Sequence, residues 1–251
     1  DGSGDFWADV EQADGSVAFS HARLSIIDLD GSNQPIYSDH GCVLMVNGEI
    51  YNHQKIKSTL RDYPFRTAGD SEVIMALHRK YSWNQTVGKN PAERHIEWVS
   101  KLDGMWGFSL WDPKAKELIL CRDPFGIKPL VRTQLSDGTL LFASEVKAFR
   151  GHTGFSAKPD ISALSVRLAY EYPLDQTTLF QGVTSVGIGT IETWSLVDGK
   201  ATLTGVAKYW KPRVIPSENW SPSTNASQLL NSLSDSIQDR LMADVPVGIV
   251  L

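Results

Sequence analysis

Cys42-Val43-Leu44-Met45-Val46-Asn47-Gly48-Glu49 is the stretch on which the fold turns. Its first five residues are an unbroken apolar run, the pattern of a strand buried on both faces. The run meets Asn47-Gly48, a turn signal, which predicts a strand that stops there. An Asn amide and a Gly N–H at a strand end can also converge on one developing oxyanion. Taken alone, the pair reads more simply as an ordinary turn.

Working outward, most of the chain reads as strands joined by short turns. Upstream, Ser16 to Leu29 holds two apolar runs, Val17-Ala18-Phe19 and Leu24-Ser25-Ile26-Ile27. Downstream, Asp70 or Ser71 is placed to cap a helix with Val73, Ile74, Leu77 and Tyr81 on one face. Glu49 and Glu72 have no evident place in this pattern. Met105–Asp112 and Lys116–Arg122 read as a hairpin, because Asp112-Pro113-Lys114-Ala115 has Asp first and Pro second, as a type I turn prefers. Leu140–Ser144 is a further strand, and Asp198-Gly199 joins Thr193–Val197 to Ala201–Thr204. Pro212, Pro216 and Pro222 then fall among Ser, Asn and Glu, a linker composition over 211–224. Beyond it, Leu229, Leu230, Leu233, Ile237 and Leu241 keep helical spacing from about Asn225 to Ala243. Val245–Leu251 reads as a buried strand.

Composition narrows the functional classes. The 251 residues are 41% hydrophobic and 21% charged, as in a soluble globular chain of one or two domains. With 24 basic and 29 acidic residues the net charge is −5, which argues against a nucleic-acid binder. No apolar stretch approaches the roughly 20 residues of a membrane span. Two cysteines make no disulfide framework and no secretory signal is visible, so a reduced, cytoplasmic setting is expected. The Asn84, Asn219 and Asn225 sequons then read as chance. CxxC, HExxH, GxSxG and GxxxxGK[ST] patterns are all absent. Cys42 and Cys121 sit in apolar runs, where a thiol is an inert small hydrophobe. His21, beside Arg23, reads as structural.

Five motifs, in order and at matching spacing, carry a resemblance: His21-Ala-Arg-Leu-Ser-Ile-Ile-Asp28, Val46-Asn-Gly-Glu-Ile-Tyr-Asn-His53, Leu102-Asp-Gly-Met-Trp-Gly-Phe108, Arg122-Asp-Pro-Phe-Gly-Ile-Lys-Pro-Leu130 and Phe142-Ala-Ser-Glu-Val-Lys147. Together they resemble the glutamine-hydrolysing asparagine synthetases. Weaker matches, Thr178-Leu-Phe-Gln-Gly182, Lys208-Tyr-Trp210 and Asp244-Val-Pro-Val-Gly248, continue the likeness.

The resemblance implies an α+β chain. Residues 1–210 would be a class II glutamine amidotransferase domain, an Ntn-type sandwich of two antiparallel sheets with outer helices. After the 211–224 linker, 225–251 would begin an α/β pyrophosphatase-loop domain that binds ATP. Glutamine hydrolysis would supply ammonia to a β-aspartyl-AMP made from aspartate and ATP with Mg2+. A homodimer is a family habit. Arg23 would clamp the glutamine α-carboxylate, as a guanidinium fork can. Asp70, helped by Glu49, would hold the α-ammonium. Asn47 and the Gly48 N–H would form the oxyanion hole, and Leu24, Ser25, Ile26 and Ile27 would wall the pocket. Arg122 and Asp123 would be a structural pair, and Leu251 would sit at the ATP site.

Two departures matter. The family's nucleophile is an N-terminal Cys whose own amine is the base, whereas residue 1 here is Asp. Leu251 falls where the family continues into its Ser-Gly-Gly-Leu-Asp-Ser-Ser phosphate loop. The expectation is a fragment of a longer enzyme that by itself neither hydrolyses glutamine nor adenylates aspartate. Val186-Gly187-Ile188-Gly189 also differs from the family's usual Pro-Pro-Gly turn. The alternatives are a related ligase amidating another carboxylate and a non-catalytic assembly module.

Overall fold

In the computed structural model, which describes residues 6–12, 15–24, 26–82, 88–212 and 221–248, the chain opens with an antiparallel hairpin, β1 (Phe6–Gln12) and β2 (Gly15–His21). β3 (Ile36–Tyr37), β4 (Val43–Ile50), α1 (His53–Thr59), α2 (Glu72–Ser82) and α3 (Ile96–Val99) follow. Next come the hairpin β5 (Gly104–Asp112) and β6 (Glu117–Arg122), then β7 (Val131–Gln134), β8 (Leu140–Ala143) and α4 (Ile161–Tyr170). β9 (Thr184–Ser185), β10 (Thr190–Val197), β11 (Lys200–Lys208) and α5 (Pro222–Arg240) complete the order.

The central sheet runs β11-β10-β6-β5-β4-β3, and every described pairing in it is antiparallel. Side chains alternate between its faces, as a pleated strand requires. Leu44 and Val46 of β4, with Phe108, Leu110 and Ile119, meet Val73, Ile74 and Leu77 of α2 and Trp98 of α3. Val43 and Met45, with Trp111, Leu118 and Leu120, instead meet Phe19 of β2 and Phe142 of β8. The antiparallel sandwich with outer helices is therefore present. Its second layer comes in two pieces, the β1-β2 hairpin and a β8-β7-β9 sheet. Arg132 of β7 spans the sandwich to Glu192 of β10 through two hydrogen bonds, of 2.5 and 3.0 Å, and Trp194 Nε1 donates to the same carboxylate.

Several local expectations need correction. β4 does not stop at Asn47-Gly48; it stays in register with β5 from Val43 opposite Trp111 to Ile50 opposite Gly104. The reason is close approach. A Cβ on residue 48 would lie 2.1 Å from the Met105 carbonyl oxygen, so glycine here lets two strands meet rather than turning one. The Leu24–Ile27 run is loop, not strand, in its described residues. Asp70 does not cap α2, because its Oδ2 accepts the Ile50 N–H at 2.7 Å instead.

α5 starts at Pro222, inside the expected linker, and stops at Arg240. Its Leu229, Leu230, Leu233 and Ile237 are exposed. Residues 245–248 form no strand and Val247 is exposed, since among the described residues no strand pairs with them. The rest of that expected strand and most of the linker lie outside the described residues.

Candidate active site

The middle of β4 opens, on its sandwich-facing side, into a cleft of about 840 Å³. Arg23, Leu24, Ile26, Ile27, Asn47, Gly48, Glu49 and Asp70 all line it, so one cavity gathers every described residue expected to bind glutamine. Ser25 and Leu251 lie outside the described residues.

The wall before β4 is a loop shaped by its own polar side chains. The Arg23 guanidinium donates to the carbonyls of Ile27 at 2.7 Å, Asp28 at 2.9 Å and Leu29 at 3.1 Å. Three N–H groups of the five a guanidinium carries are thus spent on curling the loop, and two remain. Asp28, with φ +50°, accepts from the Ser32 hydroxyl and from the Gly31, Ala68 and Gly69 N–H groups. The Ser32 hydrogen bond, ahead of the backbone donors, holds the Asp28 carboxyl below its ordinary pKa. Sequence reading gave Asp28 no role, although it closes the His21–Asp28 motif. Leu24 is 85% exposed, an apolar side chain offered at the cleft rim. His21 also lines the cleft, and burial, then Arg23, lowers its pKa below the ordinary value.

Across the cleft, Asn47 Nδ2 donates to Ser144 Oγ at 3.2 Å. One amide hydrogen is fixed by this contact and the other is left over. Ser144 follows β8 and belongs to the Phe142–Lys147 motif, the signal that could have picked it out. At the far end, Asp70 is buried, with Oδ2 on the Ile50 N–H and the Ser71 hydroxyl 3.4 Å from Oδ1. Burial, and secondarily the Asp70 carboxylate, raises the pKa of Glu49, while Lys128 opposes the rise. Two neighbouring carboxyls make this end of the cleft attractive to a cation.

Arg122 and Asp123 are structural, but not as a pair with each other. Fully buried Asp123 accepts from the N–H groups of Phe125, Ile127 and Lys128 at 2.9–3.0 Å, and from Trp106 at 3.3 Å. Arg122 donates to the carbonyls of Gly126, Lys128 and Val186. Both side chains clasp the 123–128 turn, which carries Lys128 to the cleft. Neither cysteine belongs to the site. Burial, then Asp112, pushes the Cys42 thiol up to about 12, and burial raises Cys121 as well.

Fold and cleft together define an Ntn-type glutamine amidotransferase sandwich. Glutamine phosphoribosylpyrophosphate amidotransferase from B. subtilis, a solved structure, superposes with a TM-score of 0.51 over 79% of this chain and 36% of its own, at 19% identity, a likeness of fold. The model of the glutamine amidotransferase domain matches residues 4–210, and the chain belongs to that family. Asparagine synthetase [glutamine-hydrolyzing] 2 of Bacillus subtilis (strain 168) is 32% identical over 250 residues, which cover 95% of this chain and 31% of that protein. The amidase chry2 of Gibberella zeae is 32% identical over 241 residues, covering 94% of this chain and 33% of its own length. An asparagine synthetase [glutamine-hydrolyzing] 2 of Oryza sativa subsp. japonica reaches 41% over 130 residues, 51% of this chain and 20% of that protein. The chain thus spans about a third of the length of the first two relatives. Among the described residues, no helix is long and apolar enough to cross a membrane.

Proposed function

We propose that this cleft binds L-glutamine and stabilises hydrolysis of its side-chain amide, within a glutamine-dependent amide ligase. The observation that carries the reading is the donor pair on one strand, Asn47 Nδ2, braced by Ser144, beside the Gly48 N–H at the same cleft. Preorganised N–H donors of this kind hold the oxyanion of a tetrahedral intermediate. The two uncommitted N–H groups of Arg23 suit the α-carboxylate. Asp70 and Glu49 suit the α-ammonium, and Leu24, Ile26 and Ile27 suit the aliphatic chain between them. A thiolate adds to the amide carbon, ammonia leaves, and water releases glutamate from the acyl intermediate. Cys42 and Cys121 are buried, protonated and in the wrong place for that attack. The thiol is therefore proposed, from the family likeness, to be an N-terminal Cys outside 1–251.

The acceptor half, with aspartate, ATP and Mg2+ as its reactants and a dimeric assembly, is proposed from the asparagine synthetase relatives alone. One relative is named an amidase, chry2, rather than an asparagine synthetase, and the second reading of that half has another carboxylate amidated in place of aspartate.

The test compares two ammonia sources in the complete protein. Arg23→Ala should cut glutamine-dependent synthesis by roughly a hundredfold, since a charged hydrogen bond is worth about 1.5–3 kcal/mol. Synthesis from free ammonia should be unchanged. Equal loss of both activities overturns the assignment of Arg23 to glutamine. Residues 1–251 alone should release no glutamate; release abolished by Cys42→Ser or Cys121→Ser would show the nucleophile to be misplaced.

A further inference from the structure

On the other face of the central sheet lies a polar cluster that amide hydrolysis does not use. Cys42 immediately precedes β4, Asp112 ends β5, and His78 faces them from α2. The β4–β5 register, with Val43 opposite Trp111, brings Cys42 and Asp112 to the same end of the sheet. Each of the three residues is only 1% exposed. Both ring nitrogens of His78 lack a hydrogen-bond partner, although Nε2 stands 3.5 Å from Asp112 Oδ2. A buried imidazole with neither nitrogen satisfied is unusual and costly in a native fold.

We propose that Cys42 Sγ, His78 Nε2 and an Asp112 carboxylate oxygen form a binding site for a divalent cation of the zinc and cobalt class. All three donor atoms lie within 4.8 Å of one another. Bonds of about 2.3 Å to sulfur and about 2.0–2.2 Å to nitrogen and oxygen place tetrahedral donors roughly 3.3–3.6 Å apart. The His78–Asp112 pair already has that spacing, and the remaining approach is about 1 Å. One soft, one borderline and one hard donor is a set that zinc and cobalt accept and that magnesium or calcium does not.

Charge also balances. Binding displaces the thiol proton to solvent, so thiolate and carboxylate cancel the dication and a neutral group remains in a dry site. The neighbouring ionisable groups are already matched: Arg94 lies 2.6 Å from Glu117, and His95 Nε2 lies 2.9 Å from the same oxygen. Trp98 Nε1 donates to His95 Nδ1 at 3.1 Å, and Arg94 Nε and Glu117 both meet His95 Nε2, so neither His95 nitrogen is left over. Asp112 Oδ1 accepts the Lys114 and Ala115 N–H groups, which orients its carboxylate, and the Ser38 hydroxyl borders the Cys42 thiol.

Cys42 lies five residues before Asn47, about 16 Å along an extended strand. The bound cation is thus structural, pinning the ends of two central strands to α2 on the face away from the cleft. The experiment titrates chelator-treated chain with Co2+ and with Zn2+. One equivalent should bind, release one proton, give the near-ultraviolet thiolate-to-cobalt charge-transfer band and raise Tm. Cys42→Ser should abolish the band, and Cys121→Ser should keep it. X-ray absorption at the zinc edge of the wild-type chain gives a readout independent of any variant's folding, with one sulfur scatterer expected at about 2.3 Å. Failure to bind stoichiometrically, or a bound metal with no sulfur neighbour, overturns the proposal.

Discussion

At the scale of single residues, the site depends on what neighbouring atoms leave uncommitted. Asn47 points into the cleft with one amide hydrogen fixed by Ser144. In the complete protein, Asn47→Ala should lower glutaminase kcat by about a hundredfold or more with little change in KM, the signature of a donor used in the transition state. An effect confined to KM would remove Asn47 from that role. Gly48→Ala tests a different quantity. Its Cβ would collide with Met105 O and Trp106 Cα, at 2.1 and 2.7 Å, so β4 and β5 would have to separate. Overpacking of this kind costs roughly 3 kcal/mol, readable as a lower urea midpoint at unchanged slope. His53 supplies a pH test. Its Nδ1 lies 3.0 Å from the Ile50 carbonyl and its Nε2 lies 2.9 Å from Gln54 Nε2, an arrangement that satisfies the neutral ring. Burial lowers its pKa below the ordinary value of 6.5. The unfolded chain therefore binds the proton first, and stability is full above about pH 6.5 and falls as pH drops below it. Urea melts across pH 5 to 8 should show this slope, flattened in His53→Gln; a slope unchanged by the substitution would assign it elsewhere.

Elements show why some of the fold could be read from residue order and some could not. The β5–β6 hairpin was legible because Asp112-Pro113 carries its own turn chemistry, and Asp112 Oδ1 does accept the Lys114 and Ala115 N–H groups. The β10–β11 hairpin was legible for the same reason, since Asp198 and Gly199 take φ of +51° and +74°. Asn47-Gly48 misled because the same dipeptide serves a turn and a close strand crossing, and only the partner strand decides between them. Glu72 had no assignable place because its work is non-local to α2: it accepts the Arg66 and Thr67 N–H groups and the Thr67 hydroxyl, anchoring the loop before its own helix. The site motifs were legible as a set because they recur in a known family. The Arg23 contacts to three loop carbonyls were not, since they depend on how that loop folds back. The 123–128 turn gives the test at this scale. Asp123 is fully buried and accepts four N–H groups, so Asp123→Ala should cost roughly 3–5 kcal/mol through stranded donors. Asp123→Asn, which keeps one acceptor oxygen, should cost less, and equal losses in thermal melts would mean the turn is held by Arg122 instead.

At the scale of the whole molecule, the segment after α5 touches the cleft wall. Asp244 Oδ2 accepts the Asp28 N–H at 2.7 Å, and the Asp244 N–H donates to the Ile26 carbonyl at 2.9 Å. The Arg240 guanidinium also lies 4.9 Å from the Tyr51 ring centre, just past the end of β4. The loop that Arg23 curls from within is therefore held from without by a residue 216 places along the chain from Asp28. Asp244→Ala removes the carboxylate half of this link and leaves the cleft's own side chains intact. Loop 26–28 then loses an external anchor while Asn47 and Gly48 keep their places on β4. The expected outcome in the complete protein is a several-fold rise in KM for glutamine with kcat nearly unchanged, because ordering the loop on binding becomes costlier while the transition-state donors are untouched. Hydrogen exchange at the Asp28 amide should quicken in the same variant. Unchanged KM together with unchanged exchange would show that the Arg23 contacts alone hold the wall, and that the segment after α5 rests on the amidotransferase fold without shaping its site.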